Sequence, residues 1–194
     1  DVDRLGDRAA NAIGQGADGQ VAAGVRCHHD EFVAAETRGQ ILAAGAVADA
    51  SGNVYTVGAF QGTVDFEPGA GTSSKTSAGG TDVFLQKLDT SGNFVWVRTM
   101  GGTGTDSGLD VHLDSAGNPH TTGLFQGSAD FDSGSVTLTS AGGSDIFIQS
   151  TAANGDHNWA YSFGGVGTDD GRGIAVSAAD DVYTTGSYST TIDF

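Results

Sequence analysis

Residues 101–131 read GGTGTDSGLDVHLDSAGNPHTTGLFQGSADF, and residues 164–194 repeat most of that string as GGVGTDDGRGIAVSAADDVYTTGSYSTTIDF. A partial copy, DASGNVYTVGAFQGTVDF, occupies 49–66. The pairs Asp65-Phe66, Asp130-Phe131 and Asp193-Phe194 recur at nearly constant spacing, and the apolar runs that begin at Asp82 and Asp145 keep the same offset. Two independent landmarks that share one spacing mark a structural repeat, so the chain must fold as units that stack or ring.

The type of unit follows from composition and strand pattern. Thirty-two glycines in 194 residues disfavour helix through backbone entropy, while turns use them. Residues 53–60, 82–88, 94–100 and 108–113 are rich in β-branched and aromatic residues, and turn sequences such as 49–52, 89–93 and 114–118 separate them. Val83-Phe84-Leu85, Ile146-Phe147-Ile148 and Phe94-Val95-Trp96-Val97 carry large apolar groups on both faces. A sheet so built wants cover on both sides. The expectation is therefore all-β, a β-propeller-type array of four-stranded antiparallel blades. Residues 49–113 and 114–176 each supply a blade repeat, 177–194 begin a further one, and 1–48 read as a degenerate first blade or cap. That makes about three and a half blades and about fourteen strands, fewer than most closed rings need. An incomplete ring or part of a larger assembly is expected, with exposed sheet edges as templates for pairing.

The string D-x-x-G-N-V-Y-x-x-G-x-F-x-G-T-x-D-F, followed by G-G-x-D-V-F-x-x-K-L-D-x-S-G-N-x-V-W and G-G-x-G-x-D-x-G, resembles the SBBP repeat of seven-bladed β-propellers. It is carried almost in full by 49–108 and with drift by 114–171; 172–194 match in part and 1–48 poorly. The resemblance implies a propeller in bacterial secreted or surface proteins, with no common catalytic apparatus.

Charge narrows the partners. A formal net charge of −16 repels phosphate backbones and anionic lipid headgroups, which argues against nucleic acid and against membrane insertion. No apolar run approaches the ~18 residues of a membrane helix. Cys27 is the single cysteine, so no internal disulfide framework forms. The chain begins with Asp, which reads as processed, trimmed or cut from something longer.

Asp106 and Asp169 are the candidate metal ligands. Gly101 to Asp106 and Gly164 to Asp169 resemble the start of a calcium-binding nonapeptide, although the copies stand a whole repeat apart and not in tandem. The alternative is an aspartate that satisfies loop N–H groups. Asp65, Asp130 and Asp193, each beside a Phe, read as turn caps with an aromatic plug; a carboxylate ring is the competing reading. Cys27-His28-His29 could offer zinc ligands, but adjacent strand residues face opposite ways. His112, His120 and His157 stand where sister repeats carry other residues, as surface positions do. Trp96 and Trp159 recur at the repeat spacing as blade-packing groups. No nucleophile elbow, P-loop or dinucleotide fingerprint occurs, and no catalytic residue or catalytic cofactor is assigned.

The expected function is a non-enzymatic structural or interaction module, extracellular or on the bacterial cell surface. It would bind a protein partner or self-associate through sheet edges. The alternatives are a carbohydrate-binding or hydrolytic propeller and a calcium-stabilised adhesion module.

Overall fold

The computed structural model describes residues 39–189. Cys27, His28, His29, Asp193 and most of the expected first unit lie outside these residues. Fourteen strands and no helix make up the described part: β1 (Gln40–Ala48), β2 (Val54–Gln61), β3 (Thr63–Asp65), β4 (Ser74–Thr76), β5 (Asp82–Leu88), β6 (Phe94–Gly102), β7 (Ser107–Leu113), β8 (Pro119–Phe125), β9 (Ser128–Asp130), β10 (Thr137–Thr139), β11 (Asp145–Thr151), β12 (His157–Phe163), β13 (Asp170–Val176) and β14 (Val182–Ser187). The chain is all-β and its blades are propeller-like; among the described residues they do not close a ring.

The first sheet runs β1-β2-β5-β6 and the second β7-β8-β11-β12, every pair antiparallel. A third sheet holds only β13 and β14 among the described residues. Sheet and sequence repeat are out of phase by one strand. The last strand of residues 49–113, β7, is the first strand of the second sheet, so each repeat unit links two blades covalently. Residues 40–48 likewise form the inner strand of the first sheet.

Four three-residue strands stand outside the expected four-per-unit plan. They form the hairpins β3–β4 and β9–β10, and the latter adds to the end of β6 through Gly101–Asp130 and Gly102–Ala129. These short ladders carry the Asp-Phe pairs. Asp65 Oδ1 accepts the N–H groups of Glu67 (3.0 Å) and Ser73 (2.7 Å), and Asp130 accepts those of Asp132 and Gly134. Each neighbouring Phe is buried: Phe66 packs edge-on to Phe60 (5.3 Å) and beside Phe84 (5.2 Å), and Phe131 does the same with Phe125 (5.6 Å) and Phe147 (5.2 Å). Buried Gln86 and Gln149 donate from Nε2 to the carbonyls of Phe66 (2.6 Å) and Phe131 (3.4 Å). The turn-cap-and-plug expectation for Asp65 and Asp130 is what the structure shows. Burying three phenylalanines in each sheet stabilises it by roughly 1.5–3 kcal/mol per ring.

The faces meet as the two-sided apolar strands require. Val57 and Val83 from the first sheet share one core with Val111, Phe125 and Phe147 from the second. Asp110, on the inner strand β7, reaches across to the third sheet, where its Oδ2 accepts the Ile174 N–H at 2.9 Å.

Candidate functional site

Asp106 and Asp169 occupy the loops that lead from one sheet to the next, and both are buried. Asp106 accepts the Gly102 N–H at Oδ2 (2.8 Å) and the Gln126 N–H at Oδ1 (2.9 Å). Asp169 repeats this with Gly165 (2.8 Å) and Ser189 (3.0 Å). Their own N–H groups donate to the carbonyls of Thr81 and Ser144, each at 2.8 Å. The two aspartates are thus anchors that tie a loop, the following strand end and the neighbouring blade together.

A second carboxylate stands beside each, and sequence reasoning passed over both as mere strand starts. Asp82 and Asp145 accept one N–H at Oδ2, from Ala78 and Ala141, each at 3.0 Å. Their Oδ1 atoms are buried with no hydrogen-bond partner. Both carboxylates of the first pair close over Gly101: a Cβ there would lie 2.6 Å from Asp82 Cγ and 2.8 Å from Asp106 Oδ2. Burial pushes Asp82 up to about 6, and the charge of Asp106 adds to it against the Ala78 hydrogen bond. Burial also raises Asp106, against its two backbone hydrogen bonds. Asp145 is raised by burial and by Asp169. The signal was present in the sequence: Gly-Gly-x-Asp opens the third strand in both units, at the same offset as the loop aspartates.

In each pair three of four carboxylate oxygens already take backbone N–H groups. Ca²⁺ takes 6 to 8 oxygens and competes with N–H donors for those lone pairs. The expected result of adding excess EDTA is a melting temperature unchanged within about 1 °C. A fall of about 2–4 °C or more, roughly what 1 kcal/mol produces in a chain of this size, reversed by Ca²⁺, would assign a cation to these loops.

The aromatic recurrence at Trp96 and Trp159 resolves into two different surfaces. Residues 152–156, the turn between β11 and β12, sit on the face of the first sheet that meets the second. There Lys87 Nζ (3.1 Å) and Trp96 Nε1 (3.2 Å) both donate to the Ala153 carbonyl, and Arg98 donates to the Gly155 carbonyl and to Asp156. Lys87 also lies 4.8 Å over the Tyr55 ring. Register places His120, Ser150, Trp159 and Tyr161 of the second sheet where Tyr55, Lys87, Trp96 and Arg98 stand in the first. His120, Trp159 and Tyr161 stack in a row, 5.5 and 5.4 Å apart, and Tyr161 is 60% exposed. The expected surface position of His120 is corrected: it is buried, with Nε2 3.2 Å from Asp114 Oδ2. The proline-histidine pair that replaces Val-Tyr is therefore a core substitution, made tolerable by a hydrogen-bond partner.

The third sheet differs most from its siblings. Tyr183 and Tyr188 stand where the first sheet has Tyr55 and Phe60 and the second has His120 and Phe125. Those four are buried, whereas Tyr183 is 59% and Tyr188 63% exposed.

No family model matches the chain. A 95-residue stretch, 42% of the chain, is 28% identical to an uncharacterized WD repeat-containing protein of Acanthamoeba polyphaga mimivirus, of which it covers 7%. A 149-residue stretch, 72% of the chain, is 27% identical to regulatory protein FlaEY of Caulobacter vibrioides, of which it covers 15%. The chain thus spans a small part of the length of these relatives. The first of these relatives is repeat-bearing by its name.

Proposed function

We propose that the chain is a non-enzymatic protein-interaction module of extracellular or bacterial surface location, and that it meets its partner through the third sheet. One observation carries this reading: β14 and the residue that follows it present Tyr183 and Tyr188 outward, at two positions that both sibling sheets bury. The outer edge of β14 has no ladder partner among the described residues, and a strand edge flanked by exposed aromatics is a ready template for a further strand. Similarity to a WD repeat-containing protein supports a repeat module of this kind. The acidic surface disfavours nucleic acid and anionic lipid as the partner.

Light scattering after size exclusion tests the reading, with the second copy as the first partner offered. The expected result is a mass that rises above 19.5 kDa with concentration, accompanied by slowed amide exchange across residues 182–187. A monomer at every concentration, with those amides already protected, would overturn it.

A further inference from the structure

From the same edge, and resting on the reading above, we infer that the third sheet, together with the face of the second sheet that it packs against, forms an acceptor for a β-hairpin of the repeat's own third-and-fourth-strand type. One hairpin strand pairs along β14 while the hairpin's turn seats on the Trp159–Tyr161 row.

The molecule contains this arrangement as a finished example. In the second sheet, β8 is paired along its length by β11, from Asp145 opposite Phe125 to Ser150 opposite His120. The β11–β12 hairpin at the same time lays its turn, residues 152–156, on the first sheet at Lys87, Trp96 and Arg98. One hairpin therefore makes two contacts, an edge ladder within its own blade and a turn seat on the blade before. In the third sheet both receptors recur. The strand equivalent to β8 is β14, and its outer edge has no ladder partner among the described residues. The seat equivalent to Trp96 and Arg98 is Trp159 and Tyr161, with Tyr161 largely exposed.

The chemistry of the occupant follows from what fills the finished site. Its first strand needs a Phe two residues after its opening Asp, as at Phe84 and Phe147, because that ring closes the cluster in which Phe60 and Phe125 stand. Tyr188 holds their place in the third sheet and would be buried by it. The turn needs glycine in its fourth position. Gly155 has φ +95° and lies so close to the Trp96 indole that a Cβ would approach its ring to 3.1 Å, and Gly92 has φ +83° in the sister turn. Its backbone carbonyls must face the seat, where Trp159 Nε1–H replaces the Trp96 donor. Lys87 and Arg98 have no cationic counterpart at Ser150 and Tyr161, so the turn is held there by its backbone carbonyls and not by an ion pair such as that of Asp156 with Arg98.

A fluorescein-labelled peptide of residues 80–102, the chain's own β5–β6 hairpin, tests the inference by anisotropy titration against the intact protein. Saturable binding is expected, weakened about tenfold or more by Tyr188→Asp in the protein, by Tyr161→Asp in the protein, and by Phe84→Ala in the peptide. Both tyrosines are largely exposed in the free chain, so each variant should keep the wild-type circular-dichroism spectrum, with Tyr188→Asp also keeping the melting temperature and Tyr161→Asp losing the stack on Trp159. Absence of saturable binding, or equal binding to wild type and both tyrosine variants, would overturn the inference. A chain that self-associates in light scattering but ignores the hairpin would retain the interaction role and lose this acceptor site.

Discussion

Replacing Gly123 by valine is expected to cost about 3 kcal/mol of stability or more in urea unfolding, and Gly58→Val the same, whereas Gly117→Ala should cost only about 1 kcal/mol. All three glycines lie in the repeat, but for different reasons. Gly117 sits in the turn between β7 and β8 with φ +81° and open space within 4 Å of where a Cβ would stand, so an added methyl meets only the cost of the left-handed backbone. Gly123 has an ordinary φ and no room. A Cβ would lie 2.0 Å from the Ser107 carbonyl oxygen and 2.8 Å from the Phe147 ring. Gly58 meets the Leu42 carbonyl at 2.1 Å and the Phe84 ring at 2.8 Å, and Gly186 meets the Asp170 carbonyl at 2.0 Å.

The cause is a bulge that each inner strand carries at the same place, between Ala43 and Gly45, Gly108 and Asp110, and Gly171 and Gly173. It turns a carbonyl onto the middle of the second strand. A backbone oxygen cannot move aside as a flexible side chain can, so the ladder itself must break. Similar, small losses for Gly123→Val and Gly117→Ala would show that the inner strands are not bulged in this way.

What could be read from the chain divides along physical lines. Features set by local chemistry were legible. The recurring Asp-Phe pairs and apolar runs set the strand order within a unit. Asp65 and Asp130, each next to a Phe, announced a cap and a plug, and the turn sequences at 49–52, 89–93 and 114–118 announced turns, in which Asp49, Asp89 and Asp114 accept the N–H groups two and four residues on. Features set by which sheet a strand joins were not. Nothing in residues 107–113 says that β7 pairs forward with β8 and not back with β6, because an inner strand is amphipathic in either place. The pairing of Asp82 with Asp106 is equally invisible locally. A whole hairpin separates the two in sequence, and only the approach of the loop after β6 to the start of β5 brings their charges together. The departure at 152–156 from the Asp-x-Ser-Gly-Asn turn reads as drift in the sequence. In space the turn keeps the same backbone bonds, Ala152 N–H to Asp156 and Gly155 N–H to Ala152. It is held by Lys87, Trp96 and Asn118 from outside, so the capping aspartate is dispensable.

The paired aspartates make the fold more stable at mildly acidic pH than at neutrality, and this is the second large expected effect. Burial and like charge raise Asp82 to about 6 in the folded chain, from an ordinary carboxylate value of 3.8, and raise Asp145 in the same direction; burial alone raises Asp106. A carboxyl that binds its proton more tightly when folded contributes stability that is complete below the unfolded value and is lost as pH rises through the folded one. For Asp82 that window runs from 3.8 to about 6, and the loss across it is on the order of 2 kcal/mol. The turn aspartates act oppositely. Burial raises Asp49 and Asp114, but hydrogen bonds led by Asn53 and Asn118 outweigh it, and the Asn93 side chain leads the lowering of Asp89. Their contribution is present above 3.8 and disappears as pH falls through their lowered values. The two sets do not overlap in pH, so they produce a maximum instead of cancelling. Urea midpoints should rise from pH 7 to about pH 4.5 and fall below about pH 3.5. Asp82→Asn removes one titrating group while keeping its shape, so the limb between about pH 4 and 6 should flatten and stability at pH 7 should not fall. A midpoint that is flat from pH 7 to 5, or an Asp82→Asn chain that keeps the full slope, would mean that the two carboxylates at each blade junction do not share a buried site.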